Sequence, residues 1–358
     1  MFRNICIIGL LVGSGLAAAQ GGTGVTIYGR LNTGLEYVRH GNGDSMSRLS
    51  NYRSVLGFRG SEDLGGGLKV LWQIEGALSL DTGSGNLANR DTRIGLSDDW
   101  GTLFLGVWTL PYTSATAAFD PFYPTTAGYM ALMGNGSAPN SNNVQDTSSF
   151  DRRQSNQIQY WSPKIGGLSA RLAYGINEET VVGSGAKPSL LSGSLSYELG
   201  ALQLVAAHER HREYQTARGN DAATKLGLSY RQGPASVAAV LERLKYATAS
   251  GPLTRNAWYL SGSYRIGAGL LKAGYARAAD GKGPSIETVG FFRSGAGTGS
   301  AQLTLGYEHE LSKRTSLQAY YSRIANERQA LYDFAINELG IAAGQRPSLF
   351  ALGLRHAF

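Results

Sequence analysis

One cysteine is present in 358 residues, and it is Cys6, inside an apolar N-terminal stretch. No disulfide framework and no cysteine-based zinc or redox centre can be built from it. Histidine is scarce as well: His40, His208, His211, His309 and His356 are the whole set. His208 and His211 stand three apart on a strand pattern, so they face opposite ways and cannot chelate one ion together. The H-E-x-x-H pair, the G-x-S-x-G elbow and the phosphate-binding loop are all missing. The glycine-rich run Gly295-Ala296-Gly297-Thr298-Gly299 lacks the strand-to-helix setting that nucleotide binding needs, and it reads as an external loop. No cofactor is expected. Beyond the N-terminus, no apolar run approaches the roughly 20 residues of a membrane helix.

The N-terminus is a leader by its parts. Arg3 supplies the positive start, residues 5–16 are apolar, and Ala17-Ala18-Ala19 makes a small-residue cleavage site. Cleavage is expected after Ala19, leaving a chain of residues 20–358 without cysteine. Lys plus Arg total 33 against 26 Asp plus Glu, and loss of Arg3 leaves an excess of six positive charges. A basic exported chain attracts anions; its export argues against nucleic acid as the partner.

What is plentiful is glycine, 49 residues, tyrosine, 19 residues, and strict alternation. Leu191, Gly193, Leu195, Tyr197 and Leu199 alternate with Ser192, Ser194, Ser196 and Glu198. Leu303, Leu305 and Tyr307 do the same with Gln302, Thr304 and Glu308. Such a pattern places one face of a strand in an apolar medium and the other in a polar one. Tyr or Trp recurs toward the ends of the apolar rows, at Tyr28, Tyr37, Trp72, Tyr160, Tyr230, Trp258, Tyr264, Tyr275 and Tyr321. Aromatic girdles of this kind mark the two interfaces of a membrane barrel, and a closed barrel is the one alternative to helices that satisfies its own backbone in lipid.

Sixteen strands are expected, at 25–39, 52–63, 67–80, 89–98, 101–108, 153–162, 167–176, 189–199, 201–212, 223–231, 235–246, 255–265, 269–278, 300–310, 315–326 and 347–358. Short turns alternate with long Gly-, Ser- and Asn-rich connections such as 41–50, 280–299 and 327–346, as periplasmic turns and external loops do in bacterial barrels. Two short turns, Ser61-Glu62-Asp63-Leu64-Gly65 and Ser97-Asp98-Asp99-Trp100-Gly101, read as equivalents one hairpin apart. The last strand is expected to pair with the first and close the sheet. The exceptional connection is residues 109–152, expected to fold into the lumen and narrow it.

These residues resemble the Gram-negative general porins of the kind found in Burkholderia, Bordetella, Neisseria and Delftia. Val25-Thr26-Ile27-Tyr28-Gly29-Arg30 is similar to their opening strand, and the run from Leu56-Gly57-Phe58-Arg59-Gly60-Ser61-Glu62-Asp63 to Lys69 to their most recognisable stretch. Arg153, Asn156, Tyr160, Ser162, Pro163 and Gly167 fit the pattern after the long loop, and Arg355-His356-Ala357-Phe358 the closing strand. The resemblance implies a homotrimer of sixteen-stranded barrels in the outer membrane, a third external loop folded into each pore, and passive diffusion of small hydrophilic solutes and inorganic ions. Two departures stand out. Val55 replaces an arginine usual before the Leu-Gly-Phe run, and Leu105-Gly106-Val107 replaces Leu-Gly-Arg.

Parity puts Arg30, Arg53, Arg59, Arg93 and Arg153 on the lumen face of strands one, two, four and six, with Lys69 nearer a periplasmic turn. Clustered arginines are how a pore favours anions. The loop's acids are Asp120, Asp146 and Asp151, and Asp120 and Asp151 are the candidates to face the arginines. The resulting expectation is a diffusion porin with a mild anion preference. A substrate-specific channel using Tyr28 or Tyr320 with the wall arginines is the alternative, and a plugged adhesin or hydrolase barrel is the remaining one. No group fixes a catalytic trio, so no enzyme is expected.

Overall fold

The computed structural model describes residues 24–136, 149–176, 185–214 and 219–358; the leader and Asp146 lie outside them. Among the described residues the architecture is a single closed antiparallel barrel of sixteen strands. They are β1 (Thr26–Arg39), β2 (Ser45–Asn51 with Ser54–Gly65), β3 (Leu68–Ser79), β4 (Ser84–Asn86 with Thr92–Asp98), β5 (Gly101–Thr109) and β6 (Arg153–Trp161). Then come β7 (Leu168–Gly175), β8 (Ser189–Leu199), β9 (Leu202–Arg212), β10 (Asn220–Gln232) and β11 (Ala235–Thr248). The last five are β12 (Gly251–Ile266), β13 (Gly269–Ala278), β14 (Ser300–Glu310), β15 (Thr315–Asn326) and β16 (Ser348–Ala357).

Each strand pairs with its sequence neighbours, and β1 pairs with β16 from Arg30↔Ala357 to Arg39↔Ser348. The chain's end extends that seam: Gly29 N donates to Phe358 O at 3.0 Å and Phe358 N to Gly29 O at 3.1 Å. A Cβ at position 29 would lie 2.4 Å from Phe358 Cζ, so only glycine lets the terminal ring cross the seam. Closure leaves no free edge.

Alternation explains which way each side chain points. Ile94, Leu96, Leu103, Leu105, Leu172, Leu226, Leu303, Leu305, Leu352 and Leu354 are all exposed on the outside of the barrel. An apolar belt that encircles the molecule is incompatible with water and fits a bilayer core. Tyr37, Tyr230, Trp258, Tyr264, Tyr275 and Tyr321 are exposed alongside it. Tyr28 departs from the expected girdle: its hydroxyl donates to Glu75 Oε2 at 3.1 Å inside the barrel.

Residues 45–50, expected as part of the 41–50 loop, instead belong with Asn51 to the upper part of β2, which pairs with β1. Its inner side chains bond to Glu36: Arg48 Nε and Ser50 Oγ each donate to Oε2 at 2.8 Å. The two parts of β2 meet at a bulge over Tyr52 and Arg53, where Arg53 takes φ 54°. The bulge shifts the phase, so even residues face inward above it and odd residues below. Strands β10 and β12 run longer than expected, and the connection after β13 carries a small hairpin, Thr288–Val289 with Phe292–Arg293.

The described parts of the long connection, 110–136 and 149–152, lie inside the barrel. The connection opens with a short helix, α1 (Pro111–Ala117), begun by a proline in its first turn. Seven residues make too short a helix to stand alone; Tyr112, Thr113 and Thr116 are buried against the wall and hold it. Two wall glycines make room for the aromatic turn beyond the helix. A Cβ at Gly227 would meet the Phe119 ring at 2.7 Å, and one at Gly306 would meet Phe122 at 2.7 Å.

Candidate functional site: a half-covered lumen

The loop covers one wall of the lumen and leaves the other bare. On the covered side, Glu242 of β11 is the principal anchor. It accepts from the Tyr112 hydroxyl at 2.9 Å, from Gly134 N at 2.9 Å, and from Arg255 Nη2 at 3.0 Å. Arg255 is fully buried and also donates to the Tyr332 hydroxyl at 3.0 Å. Further round, Ser261 Oγ donates to Phe119 O at 2.6 Å, and Gln302 Nε2 and Thr304 Oγ1 donate to Ala127 O at 3.1 Å. Charges on this wall are answered locally. Lys225 Nζ lies 3.7 Å from the Tyr112 ring centroid, and Lys272 and Arg355 both pair with Glu308 at 3.1 and 2.6 Å.

On the bare side, β1–β7 present arginines. Arg53 donates to the Tyr123 hydroxyl at 3.1 Å and stands 3.8 Å from Asp151, both on the loop's edge. Arg90 pairs with Glu75 at 3.0 Å, and Arg153 with Asp91 at 2.7 Å while also donating to Thr109 Oγ1 at 2.9 Å. Arg30 donates to the carbonyl of Arg53 at 3.0 Å. Lower in the lumen, Arg59 stacks over Tyr28 at 5.1 Å. Arg93 sits among the rings of Phe104, Trp108 and Trp161 at 4.6, 4.2 and 4.7 Å, and Arg171 lies over Trp161 at 4.6 Å. Arg30, Arg59, Arg93 and Arg171 meet no carboxylate at ion-pair distance among the described residues. The carboxylates that meet the other three are Glu75, Asp91 and Asp151, so this wall keeps a positive excess.

The expected site residues thus divide. Arg53, Arg153 and Asp151 come together, around a cavity of about 20 Å³ that Arg90, Thr109, Thr113, Tyr123 and Arg152 complete. That volume admits about one water. Arg30 adjoins through Arg53, while Arg93 is several residues farther toward the periplasmic end and held by rings rather than by the loop. Asp120 does not face the arginines. It is 3% exposed and accepts from Phe122 N at 2.9 Å, Tyr129 N at 2.8 Å and the Tyr259 hydroxyl at 2.8 Å. Burial pushes its carboxyl up to about 6 against those donors. Its part is to pin the loop to β12. Tyr320, offered as a lumen tyrosine, is 2% exposed beneath the loop, against Tyr52 and Phe122.

Below the loop, toward the short turns, a cavity of about 420 Å³ opens, lined by Phe119, Pro121, Arg231, Ser261 and Arg265. Arg90, Glu75, Asp91, Tyr123 and Glu242 were not singled out from sequence. Arg90 and Asp91 were legible as charges beside an interruption in β4; the partners of Glu75 and Glu242 lie on distant segments, and no local pattern announces them. Among the described residues no group of three or more His, Cys, Asp or Glu is placed to hold a metal.

Comparison with known proteins agrees with this architecture. The family model described as Gram-negative porin matches residues 7–329. Outer membrane porin protein 32 of Delftia acidovorans is 29% identical over 376 residues, with 100% of both chains covered. An outer membrane porin protein of Bordetella pertussis is 27% identical over 434 residues, again with 100% of both covered. Among solved structures, the anion-selective porin from Comamonas acidovorans superposes with a TM-score of 0.78 at 28% identity, over 94% of this chain and 100% of that one.

Proposed function

The chain belongs to the Gram-negative porin family, and on that footing we propose that it is a passive channel that prefers anions, with its filter between the bare arginine wall and the edge of the lumen loop. It is an outer-membrane porin, a barrel through which ions and small hydrophilic solutes diffuse. The observation that carries the selectivity is the charge imbalance of the bare wall. Arg53, Arg90 and Arg153 are paired with carboxylates, but among the described residues Arg30, Arg59, Arg93 and Arg171 are not. An anion about 4 Å from one guanidinium gains about 1 kcal/mol even at water's permittivity, roughly fivefold in occupancy. Size exclusion comes from the narrow space beside Tyr123 and Asp151. Catalysis has no part in this reading, and no cofactor is needed.

Segment 109–152 is accordingly the constriction loop, residues 1–19 the cleaved leader, and the working assembly a homotrimer, as the resemblance to this family implies. The test is current through the refolded protein in planar bilayers. Steps in groups of three are expected, and Arg153→Glu is expected to lower the anion-to-cation permeability ratio. An unchanged ratio would remove Arg153 from the filter, and a folded barrel without current would overturn the channel.

A further inference from the structure

Below the lumen loop the wall that the loop covers comes into the open again, and its inward row turns to serine. Arg231 on β10 stands opposite Ser236 on β11, which stands opposite Ser263 on β12. One inward rung nearer the loop, Gln203 on β9 stands opposite Ser229, Ser229 opposite Ala238, and Ala238 opposite Ser261. Directly opposed residues bring their Cβ atoms within about 5 Å, so these side chains form one polar patch two rungs deep. The patch lines the cavity of about 420 Å³ whose roof is Phe119 and Pro121 of the loop. That size falls inside the roughly 300–1,000 Å³ of small-molecule sites.

Three features separate this patch from a wall that merely meets water. Ser229, Ser236 and Ser263 are half-buried, yet their hydroxyls bond to no protein group among the described residues; Ser261, by contrast, is committed to Phe119 O at 2.6 Å. Arg231 is exposed and meets no carboxylate at ion-pair distance among the described residues, whereas Arg265 is held by Glu310 at 2.9 Å. The roof is fixed in place. Asp120 beside Phe119 is bonded to the Tyr259 hydroxyl at 2.8 Å, and Gly227 leaves the Phe119 ring its seat. A cavity whose roof is already ordered binds with little ordering left to do.

We propose that this cavity binds a monosaccharide carrying one carboxylate, a sugar acid in transit through the pore. Serine hydroxyls donate and accept at once, as sugar hydroxyls do, and the free guanidinium fork of Arg231 takes the carboxylate by two parallel bonds. One unpaired guanidinium answers one negative charge. A phosphate monoester, at about −1.5 to −2 near pH 7, is matched only in part. A neutral sugar would use only the serines, and a short organic anion only Arg231. The site rests on the reading of the barrel as an open channel and names a solute class that the channel holds on its way through.

The test is the single-channel current of the refolded full-length protein with D-glucuronate added to each side in turn. Resolved, saturable interruptions are expected, with half-saturation about tenfold lower than for glucose, acetate or glucose 6-phosphate. Arg231→Gln is expected to raise the half-saturation for glucuronate about tenfold with little change for glucose, and Ser236→Ala with Ser263→Ala to raise it for both sugars but not for acetate. Arg53→Gln, at the constriction, should alter the conductance and leave the glucuronate half-saturation within about twofold. A normal current without interruptions would overturn the site and leave the channel reading intact, whereas no current at all would overturn both. Equal half-saturation for acetate or glucose 6-phosphate, no change in Arg231→Gln, or a loss in Arg53→Gln as large as that expected of Arg231→Gln would each overturn the site while the channel stands.

Discussion

The two walls of the lumen use their bases in opposite ways. On the covered wall Lys225, Arg255 and Lys272 are buried beneath the loop or its neighbours, each answered by a carboxylate, a ring or a hydroxyl. On the bare wall Arg59 and Arg171 are exposed and Arg30, Arg53, Arg90, Arg93 and Arg153 are half-buried, and four of the seven, Arg30, Arg59, Arg93 and Arg171, meet no carboxylate among the described residues. The difference lies in desolvation. A charge taken out of water must be matched within a few ångströms, so the covered wall neutralises itself and becomes structure. A charge left in water need not be matched, and its field remains available to passing ions. One loop therefore makes both walls, by choosing which side to lie against.

The comparison is broken most severely at Glu242. Glu242→Ala strands the buried guanidinium of Arg255 and removes the acceptor for Tyr112 and Gly134, a loss of about 3–5 kcal/mol. The loop should come away from the covered wall, giving larger and noisier single-channel currents and faster proteolysis within 110–152. Quiet currents of unchanged size would show that the loop is held elsewhere.

Reversing charge on the bare wall should change preference rather than stability. Arg53→Glu with Arg153→Glu is expected to turn the reversal potential in a salt gradient toward the cation side, at roughly 1 kcal/mol or about fivefold per charge removed. Asp151→Asn sharpens the contrast from the other side. It removes an acid 3.8 Å from Arg53 and should raise anion preference by no more than that single factor. A fall in preference would mean that Asp151 organises the arginines rather than opposing them.

A smaller effect is expected from pH. The Asp120 carboxyl is raised from 3.8 to about 6. Between those values the folded chain holds a proton that the unfolded chain has released, so this group's contribution to stability falls as pH rises through that window and is flat above it. Thermal unfolding followed from pH 4 to pH 7 should show the slope in wild type, and Asp120→Asn should flatten it. The smallest change is Tyr259→Phe, which deletes one of three donors to Asp120 at a cost of about 1 kcal/mol, read as a modest drop in the same unfolding midpoint.

The barrel was legible because lipid on one side and water on the other impose a period of two on every spanning strand. Legibility failed where that asymmetry fails. Residues 45–50 rise above the belt, with polar side chains on the inward face, and so they read as loop although they pair with β1. The arginines of the lumen could be placed by parity, and Arg53 continues the inward odd row of Val55, Gly57 and Arg59, while the bulge beside it changes the facing of the residues above. Pairings such as Arg153 with Asp91 or Tyr112 with Glu242 join residues 62 and 130 apart, and nothing local encodes them. Asp120 illustrates the limit well. Its bond to Phe122 N is a local turn that sequence can suggest, but the Tyr259 hydroxyl that completes its burial comes from a strand 139 residues away.

The central claim is that the bare wall, left positive, sets the preference of the pore. Its most direct test is the zero-current potential of the wild-type protein in a planar bilayer across a tenfold potassium chloride gradient. A potential displaced toward the chloride limit is the predicted result. A potential displaced toward the potassium limit would contradict the account, because it would mean that the carboxylates Glu75, Asp91 and Asp151 outweigh the arginines around them.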